Sequence, residues 1–180
     1  MNAMLDTIDI RETAAEEIRF AFATFSPGTV LVATSDKGVA AILMGDDRAA
    51  LTRELTSAFP DARAVVDETG LEDTIAKVVD FLEAPHKRLD LLLDIRGGAL
   101  EQVVWQALCA VPPGETITYG QIAKALPVPV TAQEVGAACA ANVLAVAIPC
   151  HRVVKADGSI SGYCWGVQRK RKLINREAGA

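Results

Sequence analysis

A β-hairpin restricts the fold of this chain more than any other feature of its sequence. The polar residues Asp36 and Lys37, followed by Gly38, separate two mostly apolar runs, TVLVATS and GVAAILMG. Such a short, glycine-containing connection between β-forming runs is typical of a hairpin turn. A strand-like pattern already begins at Ile18. We therefore expect a small antiparallel sheet, preceded by a partly disordered segment over residues 1–17.

Two helices and a further strand are predicted after the hairpin. The segments DDRAALTRELTSAF and LEDTIAKVVDFLEA carry apolar residues at helical spacing, and a proline ends each of them. The next segment, RLDLLLDIRGG, predicts a strand that runs into the pair Gly97-Gly98. We place a domain boundary at this pair. The expected layout is an α/β domain over residues 1–97 and a second domain over residues 98–180.

The second domain is predicted to be mostly helical. Four segments have helical character, namely ALEQVVWQALCAVPPGE up to its prolines, TYGQIAKAL, TAQEVGAACAANVL and VQRKRKLINREA. Thr118 is placed to cap the second segment, and Thr131 with Glu134 forms a capping box for the third. These two short helices have the size of a helix-turn-helix, although many helical hairpins share that pattern.

The cysteine and histidine content limits the chemistry of the chain. The four cysteines, Cys109, Cys139, Cys150 and Cys164, include no CxxC pair, and there are only two histidines. We therefore predict no metal site. No run of about 18 apolar residues and no signal pattern is present, so we expect a soluble cytoplasmic protein that binds no membrane. Disulfides are not expected in that compartment, which leaves a cysteine free for chemistry.

Charge is distributed unevenly along the chain. The net charge is −5, but residues 98–180 carry eight Lys/Arg and five acids, so the first 97 residues hold a charge of −8. This asymmetry would direct a polyanion to the C-terminal half. The RKRK run at Arg169–Lys172 is equally compatible with an ordinary solvated helix face.

The segment AIPCHRV contains the candidate nucleophile, Cys150. A cysteine becomes nucleophilic when a neighbouring group lowers its pKa or accepts its proton. His151 is adjacent and could act as that base only if a tight turn brought the two side chains together, because an extended segment would point them apart. Glu177 could orient the histidine, and Asn142 could brace the segment. Taken alone, a Cys-His pair more often marks a buried structural cysteine.

The wider context of this cysteine resembles one protein family. IPCHRVV is followed by DG, by SGY and by a basic helix that ends near Glu177. GVAAILMGDD and LDIRGGALEQVVWQALCAVPPGETITYGQIA resemble other parts of the same family. The chain is thereby identified as similar to the O6-alkylguanine-DNA alkyltransferases, and most similar to their Ada-type repair domain. The fold expected from this resemblance is a ribonuclease H-like α/β domain followed by a mostly α domain with a helix-turn-helix.

The resemblance implies a role for each matching residue. Cys150 would be the alkyl acceptor, His151 the base that takes its proton through a water, Glu177 the acid that orients the histidine, and Asn142 the hinge. Tyr119 would lie beside the base and the phosphate, and Tyr163 would form a pocket wall. The base pocket is expected to comprise Tyr119, Tyr163, Cys164, Cys139 and Val153, and the DNA contact Thr118, Gln133, Glu134 and Arg152. Cys109 is expected in the core.

The implied reaction is a single, irreversible alkyl transfer. A flipped guanine alkylated at O6, or a thymine alkylated at O4, would lose its alkyl group to the Cys150 thiolate and leave a stable thioether. No metal or cofactor is required. The expected partner is double-stranded DNA that carries O6-alkylguanine, bound by a monomer.

Two segments depart from the family and leave alternatives open. The helix that begins Ala132-Gln133-Glu134-Val135 has glutamine where the family's intercalating arginine stands, and a carboxylate follows it. Loss of the arginine removes a charge-assisted contact and a stacking surface. The pocket has Cys164 and then bulky Trp165 after SGY, so Cys164 could be a stray apolar residue or a second alkylation site.

There are three alternatives to duplex repair, of which the first follows from these departures. The same thiol chemistry could act on free alkylated bases or small electrophiles, as in a variant with weakened duplex binding, natural or engineered. A non-catalytic lesion binder is disfavoured because Cys150 is intact. A Cys-His-Glu hydrolase would need an oxyanion hole, which nothing in the sequence marks.

Overall fold

The predicted hairpin is present in the computed structural model, which describes residues 15–179. Strands β2 (Gly28–Ser35) and β3 (Gly38–Gly45) pair antiparallel across it. Six consecutive residues of β3 are buried, so the sheet is covered on both faces. The hairpin is therefore the centre of the core. The disorder predicted near the N-terminus concerns residues that mostly lie outside the described part of the chain.

The sheet has four strands in the order β3-β2-β1-β4, with β1 at Glu17–Phe25 and β4 at Arg63–Val66. β1 is antiparallel to β2 but parallel to β4, so the prediction of a purely antiparallel sheet is wrong at this edge. The sequence did not predict β4 because its four residues are half-buried or exposed and show no alternation. The two predicted helices are present as α1 (Arg48–Ala58) and α2 (Glu72–Glu83).

The segment RLDLLLDIRGG does not form the predicted strand. It contributes one isolated bridge, in which the Val39 amide donates to the Leu92 carbonyl (2.9 Å) and the Asp94 amide donates to the Val39 carbonyl (2.8 Å). Leu92 itself points to solvent, with 80% of its surface exposed. The segment is therefore an extended connection along the edge of the sheet.

The C-terminal part is mostly helical, as predicted. Its elements are α3 (Ala99–Cys109), β5 (Ile117–Thr118), α4 (Tyr119–Ala125), α5 (Ala132–Ala140), β6 (Val153–Val154) and α6 (Val167–Ala178). The parallel pair of β5 and β6 was not predicted, because two-residue strands leave no sequence period. Among the described helices, none is long and apolar enough to span a membrane.

Strand β3, at the edge of the sheet, and the C-terminal part are joined by backbone hydrogen bonds. The Ile42 amide donates to the Val143 carbonyl (2.8 Å), and the Ala145 amide donates to the Ile42 carbonyl (2.9 Å). On the other side, the Arg176 guanidinium of α6 donates to the Leu82 carbonyl at the end of α2 (2.9 Å). The segment before Cys150 is thereby fixed to the sheet.

Candidate active site

Asn142 braces the turn that presents Cys150. Its side-chain amide donates to the Ile148 carbonyl (3.0 Å) and to the Cys150 sulfur (3.2 Å), and its side-chain oxygen accepts from the Leu144 amide (2.8 Å). Asn142 is buried, so these bonds are not exposed to competition from water. The single side chain therefore fixes both ends of the loop before Cys150 and places a donor on the sulfur itself.

A tight turn brings Cys150 and His151 into one site. Residues Cys150–Arg152 form a single 3-10 turn, which replaces the extended geometry that would have pointed their side chains apart. Cys150 is 4% exposed and His151 is completely buried. The tight turn that the sequence required is therefore present, and the role of His151 as the base for Cys150 stays a prediction.

Glu177 is the shared acceptor for the two residues that follow Cys150. Its carboxylate accepts from His151 Nε2 (2.8 Å), from Arg152 Nη2 (2.8 Å) and Nε (3.0 Å), and from the Gly114 amide (3.3 Å). Burial opposes its charge, but these donors outweigh burial and lower the pKa of Glu177 to about 2. The carboxylate is therefore ionised at neutral pH and can only accept hydrogen bonds.

This arrangement fixes the tautomer of His151. Because Glu177 accepts at Nε2, that nitrogen carries the proton, and Nδ1 keeps a lone pair. Nδ1 is buried and has no hydrogen-bond partner among the described residues. Burial lowers the pKa of His151, although Glu177 acts in the opposite direction, so the ring is neutral at rest. His151 is thus a neutral imidazole with a free basic nitrogen.

The Cys150 thiol opens into a cavity of about 360 Å³. This pocket is lined by Tyr119, Gly136, Cys139, Ala140, Cys150, Gly162, Tyr163 and Cys164. Its volume lies in the range of small-ligand sites, and it has aromatic walls and small residues at its rim. Four of the five predicted pocket residues, Tyr119, Tyr163, Cys164 and Cys139, therefore lie around the candidate nucleophile.

The fifth predicted pocket residue, Val153, does not line the cavity. It is completely buried in β6, where it pairs with Ile117, so its side chain belongs to the core. Cys109, expected in the core, is instead exposed at the end of α3, with its sulfur 3.9 Å from the Ala147 carbonyl. Both corrections arise because burial depends on packing between segments that are distant in sequence.

The predicted DNA contact of Arg152 also requires correction. Its side chain is 8% exposed, and its guanidinium faces Glu177 and the Val111 carbonyl instead of solvent. A buried guanidinium in such a bidentate pair holds its carboxylate in place and does not reach a phosphate. Arg152 is therefore a structural partner of Glu177.

The two predicted caps are present at the starts of α4 and α5. Thr118 accepts from the Gln121 amide at the start of α4, and Thr131 accepts from the Glu134 amide at the start of α5, each at 3.2 Å. The α5 helix packs on α4 and on α3, where Trp105 donates to the Ala138 carbonyl (2.8 Å). Gln133 and Glu134 are exposed on its first turn. Hydrogen bonds from Thr131 lower the pKa of Glu134, so its carboxylate is charged.

Lys170 is a site residue that the sequence did not single out. It is completely buried, and its ammonium donates to the Ser161 hydroxyl (2.6 Å), which lies 2.7 Å from the Tyr119 hydroxyl. Burial lowers the pKa of Lys170. The sequence did contain a signal for the burial of Lys170, because Lys170, Leu173 and Glu177 share the inner face of α6 at helical spacing. Of the RKRK run, only Arg171 and Lys172 are fully exposed.

Replacing Glu177 should reveal the strength of its buried bonds. Glu177→Gln leaves the Arg152 charge without a partner, so we expect a loss of about 3–5 kcal/mol in the free energy of unfolding at pH 7. Because the folded pKa of about 2 lies below the ordinary 4.5, this stabilisation is present above pH 4.5. It is lost as the pH falls towards 2, where the two proteins should converge.

Denaturant unfolding across this pH range measures the effect, with Glu115→Gln as the matched control. Glu115 is exposed and makes no ion pair among the described residues, so its replacement should change stability by less than about 0.5 kcal/mol. A Glu177→Gln protein as stable as wild type at pH 7 would contradict the assigned hydrogen bonds.

Comparisons with known proteins identify relatives of this chain. Residues 99–179 match the family model described as 6-O-methylguanine DNA methyltransferase, DNA binding domain. Over 161 residues the chain is 47% identical to the bifunctional transcriptional activator/DNA repair enzyme Ada of Escherichia coli strain K12, covering 89% of this chain and 46% of that protein. It is 34% identical to the inducible methylated-DNA–protein-cysteine methyltransferase of Bacillus subtilis strain 168, over 68% of each chain.

A solved structure is similar over nearly the whole length. The crystal structure of Mycobacterium tuberculosis OGT in complex with DNA matches with a TM-score of 0.71 and 29% identity, covering 91% of this chain and 93% of that one. The chain spans about half the length of the Ada proteins that it matches. The sequence identity, the similar fold and the site around Cys150 lead to one conclusion: the chain belongs to the methylated-DNA–protein-cysteine methyltransferase family, the O6-methylguanine-DNA methyltransferases.

Proposed function

We propose that this protein repairs DNA by moving an alkyl group from O6 of guanine, and from O4 of thymine, onto Cys150. The observation that carries the proposal is the setting of the Cys150 sulfur, which lies at a pocket, accepts from Asn142 and precedes a neutral histidine with a free nitrogen. The Bacillus subtilis relative is named for moving a methyl group from DNA to a protein cysteine. The same chemistry fits the residues of this chain.

The resting thiol must lose its proton before it reacts. The neighbouring Cys139 thiol, and then burial, raise the pKa of Cys150, so little thiolate is present without a base. We assign His151 Nδ1 as the acceptor for that proton, through a water, and Glu177 stabilises the imidazolium that forms. His151 thus takes up a proton only when the Cys150 thiol is deprotonated for attack.

The transfer itself is one displacement. The Cys150 thiolate attacks the alkyl carbon, the carbon–sulfur bond forms, and the carbon–oxygen bond breaks with its electron pair left on the guanine, which then takes up a proton. The thioether product is stable, and no group in the pocket is placed to cleave it. Each protein molecule therefore acts once, and the reaction requires no cofactor.

The pocket can receive a base that has left the duplex. Tyr119 and Tyr163 provide aromatic surfaces, and Gly136 leaves the rim open, since an added Cβ there would meet the Tyr119 ring at 3.8 Å. Enzymes that act on bases read them by stacking and edge contacts in such cavities. We assign the delivery of the base to α4 and α5, with Thr118, Gln133 and Glu134 nearest the DNA.

The proposal extends to organisation and location. We assign residues 1–97 to a ribonuclease H-like α/β domain and residues 98–180 to the repair domain, acting as a monomer on double-stranded DNA in the cytoplasm. Among the described residues, the four cysteines are unpaired, which fits a reducing compartment. The sheet order β3-β2-β1-β4 with flanking helices supports the first assignment.

The acceptor assignment is tested by mass. After incubation with duplex DNA carrying O6-methylguanine, we expect Cys150 to gain one methyl group and no other cysteine to gain one. Cys150→Ser should lose the transfer completely, because a serine hydroxyl is far less nucleophilic and cannot replace the thiolate. Cys109→Ser is the matched control, and it should transfer like wild type because Cys109 lies outside the pocket.

Peptide mass spectrometry of the modified protein reads the outcome. If Cys150 stays unmodified by the duplex while free O6-benzylguanine still labels it, the substrate is a small molecule and not DNA. A methyl group found on another cysteine would contradict the acceptor assignment.

The exposed Gln133 should limit affinity for the duplex. Gln133→Arg adds one charge-assisted contact at the start of α5, so we expect duplex binding to tighten roughly tenfold. The slope of log affinity against log salt should steepen by about 0.9, as expected for one added phosphate contact. Gln106→Arg on α3 controls for the added charge and should leave the affinity unchanged. Fluorescence anisotropy measures both values, and equal affinities for Gln133→Arg and wild type would place α5 away from the DNA.

A further inference from the structure

Three of the four cysteines line the same cavity. The Cys139 thiol, in the last turn of α5, lies close enough to the Cys150 thiol for each to shift the pKa of the other. Cys164 also faces the pocket, but its sulfur lies against the carbonyls of Ala140 (3.4 Å) and Cys139 (3.8 Å). Cys139 and Cys150 are therefore the pair placed to react with each other.

We propose that Cys139 and Cys150 form a reversible disulfide when the protein meets a hydroperoxide, so that the alkyl pocket is also a site of oxidative modification. The modification itself does not depend on the proposed repair function. Only its consequence for repair rests on Cys150 being the alkyl acceptor.

The position of the two thiols favours this bond. Both sulfurs line one cavity, and they must approach to about 2 Å for the disulfide to form. Cys139 lies one turn before Asn142, whose bonds to Ile148 and Cys150 hold the facing loop in place. The cavity of about 360 Å³ admits a small hydroperoxide to both sulfurs.

The chemistry balances with the hydroperoxide as the sole oxidant. One thiolate attacks the peroxide oxygen, the oxygen–oxygen bond breaks, and the sulfur becomes a sulfenic acid while an alcohol or water leaves. The second sulfur attacks the sulfenic sulfur, the disulfide forms, and the hydroxyl leaves as water with the second thiol's proton. Two thiols are oxidised by two electrons, and the peroxide is reduced by two.

Either sulfur can attack the hydroperoxide first, because both thiols line the cavity and the same disulfide results in either order. The Asn142 amide donates to the Cys150 sulfur and favours an anion there. Without Cys139, Cys150 would therefore still be oxidised but would have no partner for a disulfide.

The disulfide would protect a residue that the protein can use only once. A sulfinic acid on Cys150 is irreversible for most proteins and would destroy the acceptor, whereas a disulfide is reopened by cellular dithiols. The protein would be inactive while oxidised and recover when reducing conditions return.

Tryptic mapping provides a direct test, because trypsin leaves both cysteines in one peptide. No lysine or arginine lies between Lys124 and Arg152, so residues 125–152 contain Cys139 and Cys150, while Cys109 and Cys164 fall in other peptides. After brief treatment with hydrogen peroxide and alkylation of free thiols, peptide 125–152 should lose the mass of two hydrogens and carry no alkyl label. Dithiothreitol should restore both labels.

Variants and a second readout complete the experiment. Cys139→Ser should abolish the mass loss and leave Cys150 to gain oxygen atoms, whereas Cys164→Ser and Cys109→Ser should keep the disulfide. Labelling of wild-type Cys150 by O6-benzylguanine should fall to background after peroxide and return after reduction.

The wild-type peptide alone decides the proposal, whatever the variants do to folding. Oxygen additions to Cys150 without a disulfide, or a disulfide to Cys164 or Cys109, would overturn it. If the disulfide forms but duplex DNA carrying O6-methylguanine never methylates the reduced protein, the proposed repair function fails and this inference stands.

Discussion

The buried carboxylate of Glu177 is the interaction on which the site depends. Through bonds to His151 and Arg152, it joins the last helix to the turn at Cys150–Arg152. Through the Gly114 amide, it also joins that helix to the loop that follows α3. Four donors around one carboxylate offset the cost of burying its charge and leave it ionised. As a result, the orientation and tautomer of His151 are fixed before any substrate arrives.

The rest of the fold supplies a rigid frame for that turn. The edge strand β3 holds the segment before Cys150 through the two backbone bonds of Ile42, and Asn142 closes the loop from within. Val146, in that loop, has a positive φ of 66°, a conformation that non-glycine residues adopt only when their surroundings impose it. A sulfur held in this way can react with a delivered alkyl carbon without a large change in the protein.

The sequence predicted what is local, and it failed where distant segments meet. The hairpin, the two threonine caps and the closing helix follow from turn residues, capping boxes and helical spacing, all within a few positions. The strands β4, β5 and β6 are too short to leave a period, and their pairing is set by long-range contacts. The same limit applies to side chains: Arg152 and Lys170 look like surface cations, yet both are buried by partners that lie far along the chain.

Nuclear magnetic resonance of the His151 ring tests most directly whether Glu177 sets the protonation of that histidine. The chain has only two histidines, so long-range proton–nitrogen spectra of the resting protein can be assigned with a His86→Gln variant. We predict that the His151 ring is neutral at pH 7, with its proton on Nε2 and no proton on Nδ1. A proton on Nδ1, or a doubly protonated ring at pH 7, would contradict the claim that Glu177 prepares His151 as the base for Cys150.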